Sequence, residues 1–137
     1  MKFWYKHKLT RRLKKMERAL HLRLRDEQRK LILDPNPPQE LSDWPRRSGK
    51  TLCASLHLLL HAPVNAVYSS GEALDFLPDP DAGKSFQIAR WTYRELYATY
   101  RKIRMAGIET CTLLPPMPGV PGGFVGHGRY DERRRGR

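Results

Sequence analysis

The chain is poor in cysteine. Its 137 residues include only Cys53 and Cys111, with no C-x-x-C pair, so neither a disulfide framework nor a strong zinc spacing is written into it. Unpaired thiols are the default. No apolar run reaches the roughly 18 residues needed to cross a bilayer, so no membrane association through a spanning helix is expected. No G-x-S-x-G elbow, no H-E-x-x-H pair and no recurring carboxylate pair occurs. The sequence thus offers no template for a serine hydrolase, a zinc protease or general acid–base work, and it implies no cofactor and a non-enzymatic role. Acidic residues are scarce where basic ones are dense: residues 1–30 hold 12 basic and 3 acidic side chains.

The whole chain carries 26 basic and 14 acidic residues, a net charge of +12 and a pI near 10.2. Such a field favours a polyanion, of which nucleic acid is the commonest. The charge is uneven. Residues 1–30 are net +9, residues 31–84 net −3, and residues 85–110 and 111–137 each net +3. Basic ends and a mildly acidic middle predict a small body flanked by two polycationic segments.

The first segment reads as one long helix from about Tyr5 to Leu33, stopped by Asp34-Pro35-Asn36-Pro37-Pro38, because proline removes a donor and disfavours helical geometry before it. At a helical projection, Leu9, Leu13, Met16, Leu20, Leu24 and Leu31 share one stripe, of which Leu9, Leu13, Met16, Leu20 and Leu24 are expected to dock on neighbouring proteins of a large complex. Lys8, Arg11, Arg12, Lys14, Lys15, Arg18, Arg25 and Arg29 fall on the remaining face as candidate RNA contacts. Like charges at helical spacing repel by a few tenths of a kcal/mol each. Phosphates between them would relieve that repulsion and release counterions. A solvated basic face is the plainer alternative. An amphipathic, arginine-rich, acid-poor start also has the character of a mitochondrial presequence, although the first 40 residues contain no serine.

Trp44-Pro45-Arg46-Arg47-Ser48-Gly49-Lys50-Thr51 ends like a phosphate-binding loop, G-x-x-x-x-G-K-[ST], with Trp44 at the first glycine. These eight residues resemble the loop of viral packaging ATPases, which implies nucleotide hydrolysis coupled to nucleic acid. The pattern asks for an apolar strand upstream, where Pro37 to Asp43 stands, and for an apolar strand ending in an acid downstream, where Ala73-Leu74-Asp75 is the best candidate. The alternative is a basic loop capping a helix that begins near Ser48, with Arg46, Arg47 and Lys50 as further RNA contacts.

Leu52 to His61 reads as a buried helix ended by Pro63, Asn65 to Ser69 as a short strand, and Gly71 to Lys84 as a surface loop. Phe86 to Met105 returns to helical period. Phe86, Ala89, Tyr93, Leu96, Tyr97, Tyr100 and Ile103 form its stripe, Arg90, Arg94 and Arg101 line the border, and Gly107 ends it before a strand from Ile108 to Leu114. Tyrosines at this spacing are core or, beside arginines, a stacking surface. Trp91-Thr92-Tyr93-Arg94-Glu95-Leu96 resembles the Leu-Tyr-Arg motif of small mitochondrial helical proteins, with Thr92 in place of the leucine; no partner follows from it. Cys53, His57 and His61 share one helical face but lack a fourth ligand of regular spacing, which favours a structural role over zinc.

Residues 115–137 hold 4 prolines and 6 glycines and close on Arg133, Arg134, Arg135 and Arg137, a composition for an extended basic tail. The expectation is a mainly α protein with little β: a long basic N-terminal helix over 1–38, a small central helical body over 39–114 and an extended Pro/Gly/Arg-rich tail over 115–137. Its expected function is a non-enzymatic RNA-binding structural subunit of a ribonucleoprotein particle, a mitochondrial ribosome first and a cytoplasmic particle second. The alternatives are a P-loop ATPase fragment acting on nucleic acid and a DNA-binding virion component.

Overall fold

The computed structural model describes residues 3–35, 50–78 and 84–116. They form α1 (Phe3–Ala19), α2 (Asp26–Leu33), α3 (Lys50–His61), β1 (Val67–Tyr68), α4 (Ser70–Phe76), α5 (Phe86–Met105) and β2 (Thr112–Leu113). The protein is mainly helical, and its two short strands pair in parallel, Val67 opposite Thr112 and Tyr68 opposite Leu113.

Helix α3 is the centre. Its sequence is apolar nearly all round, as a helix must be when neighbours cover every side, and every residue from Cys53 to Leu60 is buried. It packs against α1, α2 and α5, while α4 covers another part of α5. Helix α5 follows the simpler rule of one apolar stripe. Ala89, Thr92, Tyr93, Leu96, Tyr100 and Ile103 are buried, Phe86 and Tyr97 lie at the margin, and Ser85 caps the start by accepting from the Ile88 amide at 3.2 Å. The boundaries expected from periodicity, Phe86 and Met105, are those observed. The Tyr93 hydroxyl donates to the Leu114 carbonyl and so ties α5 to the end of β2.

Three expectations are corrected. First, residues 5–33 are two helices. Helix α1 ends in a left-handed residue, His21 (φ 54°), across which the His21 amide donates to the Arg18 carbonyl (3.1 Å) and the Leu22 amide to the Glu17 carbonyl (3.0 Å). That pair of bonds is a Schellman closure, normally announced by glycine. The chain then returns to start α2, where Gln28 Oε1 accepts from the Arg25 amide at 2.8 Å. Glu17, only 5 % exposed, pins the bend: its carboxylate accepts from the Leu24 amide (2.7 Å) and from the Arg29 guanidinium at 2.9 and 3.2 Å.

Second, the leucine stripe faces inward. Leu9, Leu13, Met16 and Leu24 are buried and Leu20 and Leu31 half-buried against the same core as α3 and α5, so the stripe offers no free surface to a neighbouring protein. The N-terminal segment is therefore part of the body and does not extend from it. The reason is area: the turn at residues 20–25 lets both helices cover α3, and apolar contact within the chain is stronger than leaving the stripe in water.

Third, the start of the segment expected as a surface loop from Gly71 to Lys84 is helical: α4 covers Ser70–Phe76. The Glu72 amide donates to Ser69 Oγ (3.4 Å) and the Ser69 amide to Glu72 Oε1 (3.1 Å), a reciprocal capping box.

Candidate nucleic-acid interface

Burying one face of α1 fixes which side chains the other face presents. Lys8, Arg11, Lys14, Lys15 and Arg18 are exposed, and none of them makes a salt bridge or side-chain hydrogen bond with another described residue. The one acid of the helix, Glu17, is withdrawn into the bend beneath them. Sequestering it leaves an outward surface of a single sign, about three helical turns long.

Two of the expected contacts are committed elsewhere. Arg12 is half-buried and donates to the Glu109 carbonyl (2.7 Å) and to the Leu60 carbonyl (3.5 Å), bridging α1 to the last turn of α3 and to the segment before β2. Arg29 is held by Glu17 and, at 3.3 Å, by Asp26. Both are structural cations here because orphan carbonyls and a buried carboxylate need them more than solvent does. Arg25 is exposed and sits 3.5 Å from Glu27. Lys50 is half-buried as the first residue of α3. Arg46, Arg47, Arg133, Arg134, Arg135 and Arg137 lie outside the described residues, as do the rest of the Trp44–Gly49 loop, the upstream segment 37–43 and the tail beyond 116.

A groove of about 510 Å³ runs beside the basic face, with Lys8, Arg12 and Lys15 on one side and Gly107, Ile108 and Glu109 on the other. It lies where α5 ends, and the Arg12 contact to Glu109 closes part of it. The cations, not the groove, are what this side offers to an anion.

The Cys53, His57 and His61 face has a different use. The His57 and His61 rings lie 4.4 Å apart, and their Nε2 atoms contact the Asp34 carbonyl (2.8 Å) and the Ile32 carbonyl (2.7 Å). A carbonyl can only accept, so Nε2 carries the proton in both rings. The two imidazoles thus cap the C-terminus of α2, whose last carbonyls have no helical partner. Burial pushes His57 down to about 4, and burial likewise lowers His61, against the opposing pull of those carbonyls. Burial also raises the Cys53 and Cys111 thiols to about 11, away from thiolate chemistry. Among the described residues no group of three His, Cys, Asp or Glu side chains is placed to hold a metal ion.

Asp75, the acid sought downstream of the Gly-Lys-Thr motif, is an exposed residue of α4 and not the end of a buried strand. The inward cap made by the histidines was missed in the sequence because its acceptors are backbone carbonyls 23 and 29 residues away. Among the described residues no helix is long and apolar enough to cross a membrane. Neither a protein-family model, nor a curated protein, nor a solved structure matches the chain.

Proposed function

We propose that this chain is a non-enzymatic, RNA-binding structural subunit of a ribonucleoprotein particle, with the outer face of α1 laid against phosphates. The observation that supports it is the one-signed surface of Lys8, Arg11, Lys14, Lys15 and Arg18 on a helix whose opposite face is locked into the core. A row of cations on a fixed helix, without ion-pair partners among the described residues, loses little freedom on meeting a polyanion, and each neutralised phosphate releases counterions. Phosphate contacts position a chain without reading sequence. The reading is therefore of a subunit placed by RNA shape within an assembly. The presequence-like character of the start makes a mitochondrial ribosome the first particle to test.

Binding of the full chain to structured RNA should weaken steeply with salt, log K falling by about 0.7–0.9 per phosphate contact per decade of salt. Neutralising Lys8, Arg11, Lys14, Lys15 and Arg18 together to glutamine should flatten that slope by about 3.5–4.5 units while leaving the helical circular dichroism intact. An unchanged slope would remove α1 from the interface. In cells, co-sedimentation with ribosomal particles that is lost on RNase digestion is the expected result, and sedimentation as a free monomer would contradict it.

One structural observation favours a second reading, a P-loop-type nucleotide site serving a nucleic-acid motor. Helix α3 begins at Lys50, directly behind Ser48-Gly49, and the strands that follow it are parallel, the pairing used in α/β nucleotide folds. This reading predicts that ATP raises the thermal midpoint, by the equivalent of about 2.7 kcal/mol at 100 times its dissociation constant, and that Lys50→Ala removes the shift. The structural-subunit reading predicts no shift in either protein.

A further inference from the structure

The arginines and aromatics of α5 suggested a stacking surface, but packing has removed the tyrosines from contention: Tyr93 and Tyr100 are buried and Tyr97 half-buried. The aromatic that α5 turns outward is Trp91, 58 % exposed. At 100° per residue Arg94 and Arg101 fall along one flank of the indole, and Ala98 and Lys102 continue in line with it over roughly 16 Å of helix. Arg94, Arg101 and Lys102 are exposed and make no salt bridge or side-chain hydrogen bond with another described residue, and Glu95 is the one acid on this face. The geometry points to a binding strip for single-stranded nucleic acid on the outer face of α5, with Trp91 stacking on an unpaired base and Arg94, Arg101 and Lys102 holding successive phosphates of the strand as it runs from Trp91 towards the C-terminal end of the helix.

The charge pattern selects this occupant. The centre of a protein–protein interface is depleted of charge, whereas here three exposed cations without an ion-pair partner among the described residues lie along the face that carries Trp91. Membrane-surface helices need a broad apolar face, and that of α5 is consumed by the core, leaving exposed only the neighbouring pair Ile88 and Trp91 and, about four turns on, Met105. A duplex covers the faces of its bases, so an indole on a convex helix reaches a base face only where the strand is unpaired. The strip is thus a base-contacting complement to the phosphate-contacting face of α1, and it rests on the nucleic-acid reading proposed above.

The test uses the full chain and anisotropy of short labelled oligouridine, oligothymidine and an RNA duplex. Trp91→Ala should weaken oligouridine binding by about 5- to 100-fold, and duplex binding by less than about twofold, while Trp91→Phe restores most of the loss. Arg94→Gln with Arg101→Gln should flatten the single-strand salt slope by about 1.4. Equal losses on oligouridine and oligothymidine place recognition in the base and phosphate; a loss on oligouridine alone adds a ribose contact. Both outcomes support the strip. Single-strand binding unaffected by Trp91→Ala, or equal loss on the duplex, overturns it while leaving the α1 interface standing. So does capture of anionic vesicles, or self-association, that depends on Trp91 while oligonucleotide binding does not. Failure of every nucleic acid to bind would instead overturn the reading on which the strip rests.

Discussion

Helices α1 and α5 end in the same way with different residues. In α5 the Gly107 amide donates to the Arg104 carbonyl (3.0 Å) and the Ile108 amide to the Ile103 carbonyl (3.3 Å), with Gly107 at φ 84°. In α1 the corresponding donors are His21 and Leu22, with His21 at φ 54°. Glycine takes this conformation without steric penalty, whereas a residue with a Cβ is strained by about 1–2 kcal/mol. The α5 stop is therefore intrinsic to its sequence, and the α1 stop has to be imposed. What imposes it is Glu17, whose carboxylate is filled by an amide beyond the turn and by a guanidinium from α2. A third end, that of α2, has no left-handed turn and is capped by His57 and His61 from α3.

The largest way to break this comparison is Glu17→Ala. It strands the buried Leu24 amide and leaves Arg29, partly exposed, with Asp26 as its remaining acid; an unsatisfied buried donor costs about 1–3 kcal/mol. Chemical denaturation should report that loss, while Glu17→Gln, which keeps an acceptor for Leu24, should cost clearly less. If the two variants are equally stable, the bend does not depend on Glu17.

Acidification should act on the α2 cap. Folding holds His57 down to about 4 and also lowers His61, whereas both are ordinary in the unfolded chain, where the usual value is near 6.5. Neutral imidazole is the folded form, so their stabilisation is complete above about pH 6.5 and is lost as pH falls from there towards 4. Between pH 7.5 and 5 the expected loss is on the order of 1–2 kcal/mol, read from urea midpoints. A His57→Gln, His61→Gln protein keeps donors for the two carbonyls and should show a flatter profile; an unchanged slope would assign the acid sensitivity to other groups.

Smaller effects sharpen the comparison of the two turns. Gly107→Ala should destabilise by about 1 kcal/mol through backbone strain alone, since an added Cβ there would meet nothing within 4 Å. His21→Gly should do the reverse and stabilise by up to about 1 kcal/mol, less the extra freedom glycine gives the unfolded chain. Thermal midpoints moving in opposite directions would confirm that one turn is intrinsic and the other imposed.

The same distinction explains what could be read in advance. Helix α5 was legible to the residue because its signals are local: Ser85 to begin it, a stripe of period 3.6 to sustain it and Gly107 to end it. Helix α4 was equally local, since Ser69 and Glu72 have the spacing of a capping box, but Gly71, Pro78 and Pro80 drew attention to a loop instead. The break between α1 and α2 had no such mark, because the hydrophobic stripe runs across residues 20–24 without interruption and no glycine or proline stands there.

The candidate site divides along the same line. Its composition, a strongly basic first 30 residues and an aromatic, arginine-bearing α5, is a property of the sequence, because net charge and side-chain chemistry do not depend on the fold. Which cations are available is a tertiary property. Lys8, Arg11, Lys14, Lys15 and Arg18 remain outward, while Arg12 and Arg29, indistinguishable from them in the sequence, are held by the Leu60 and Glu109 carbonyls and by Glu17. On α5 likewise, folding buried Tyr93 and Tyr100 and left Trp91 in solvent. Local spacing determines helices and their faces, since neighbours along the chain supply those hydrogen bonds. Long-range contact alone decides which charges and rings are left without a partner, because the groups that satisfy them arrive from distant segments only when the chain closes on α3.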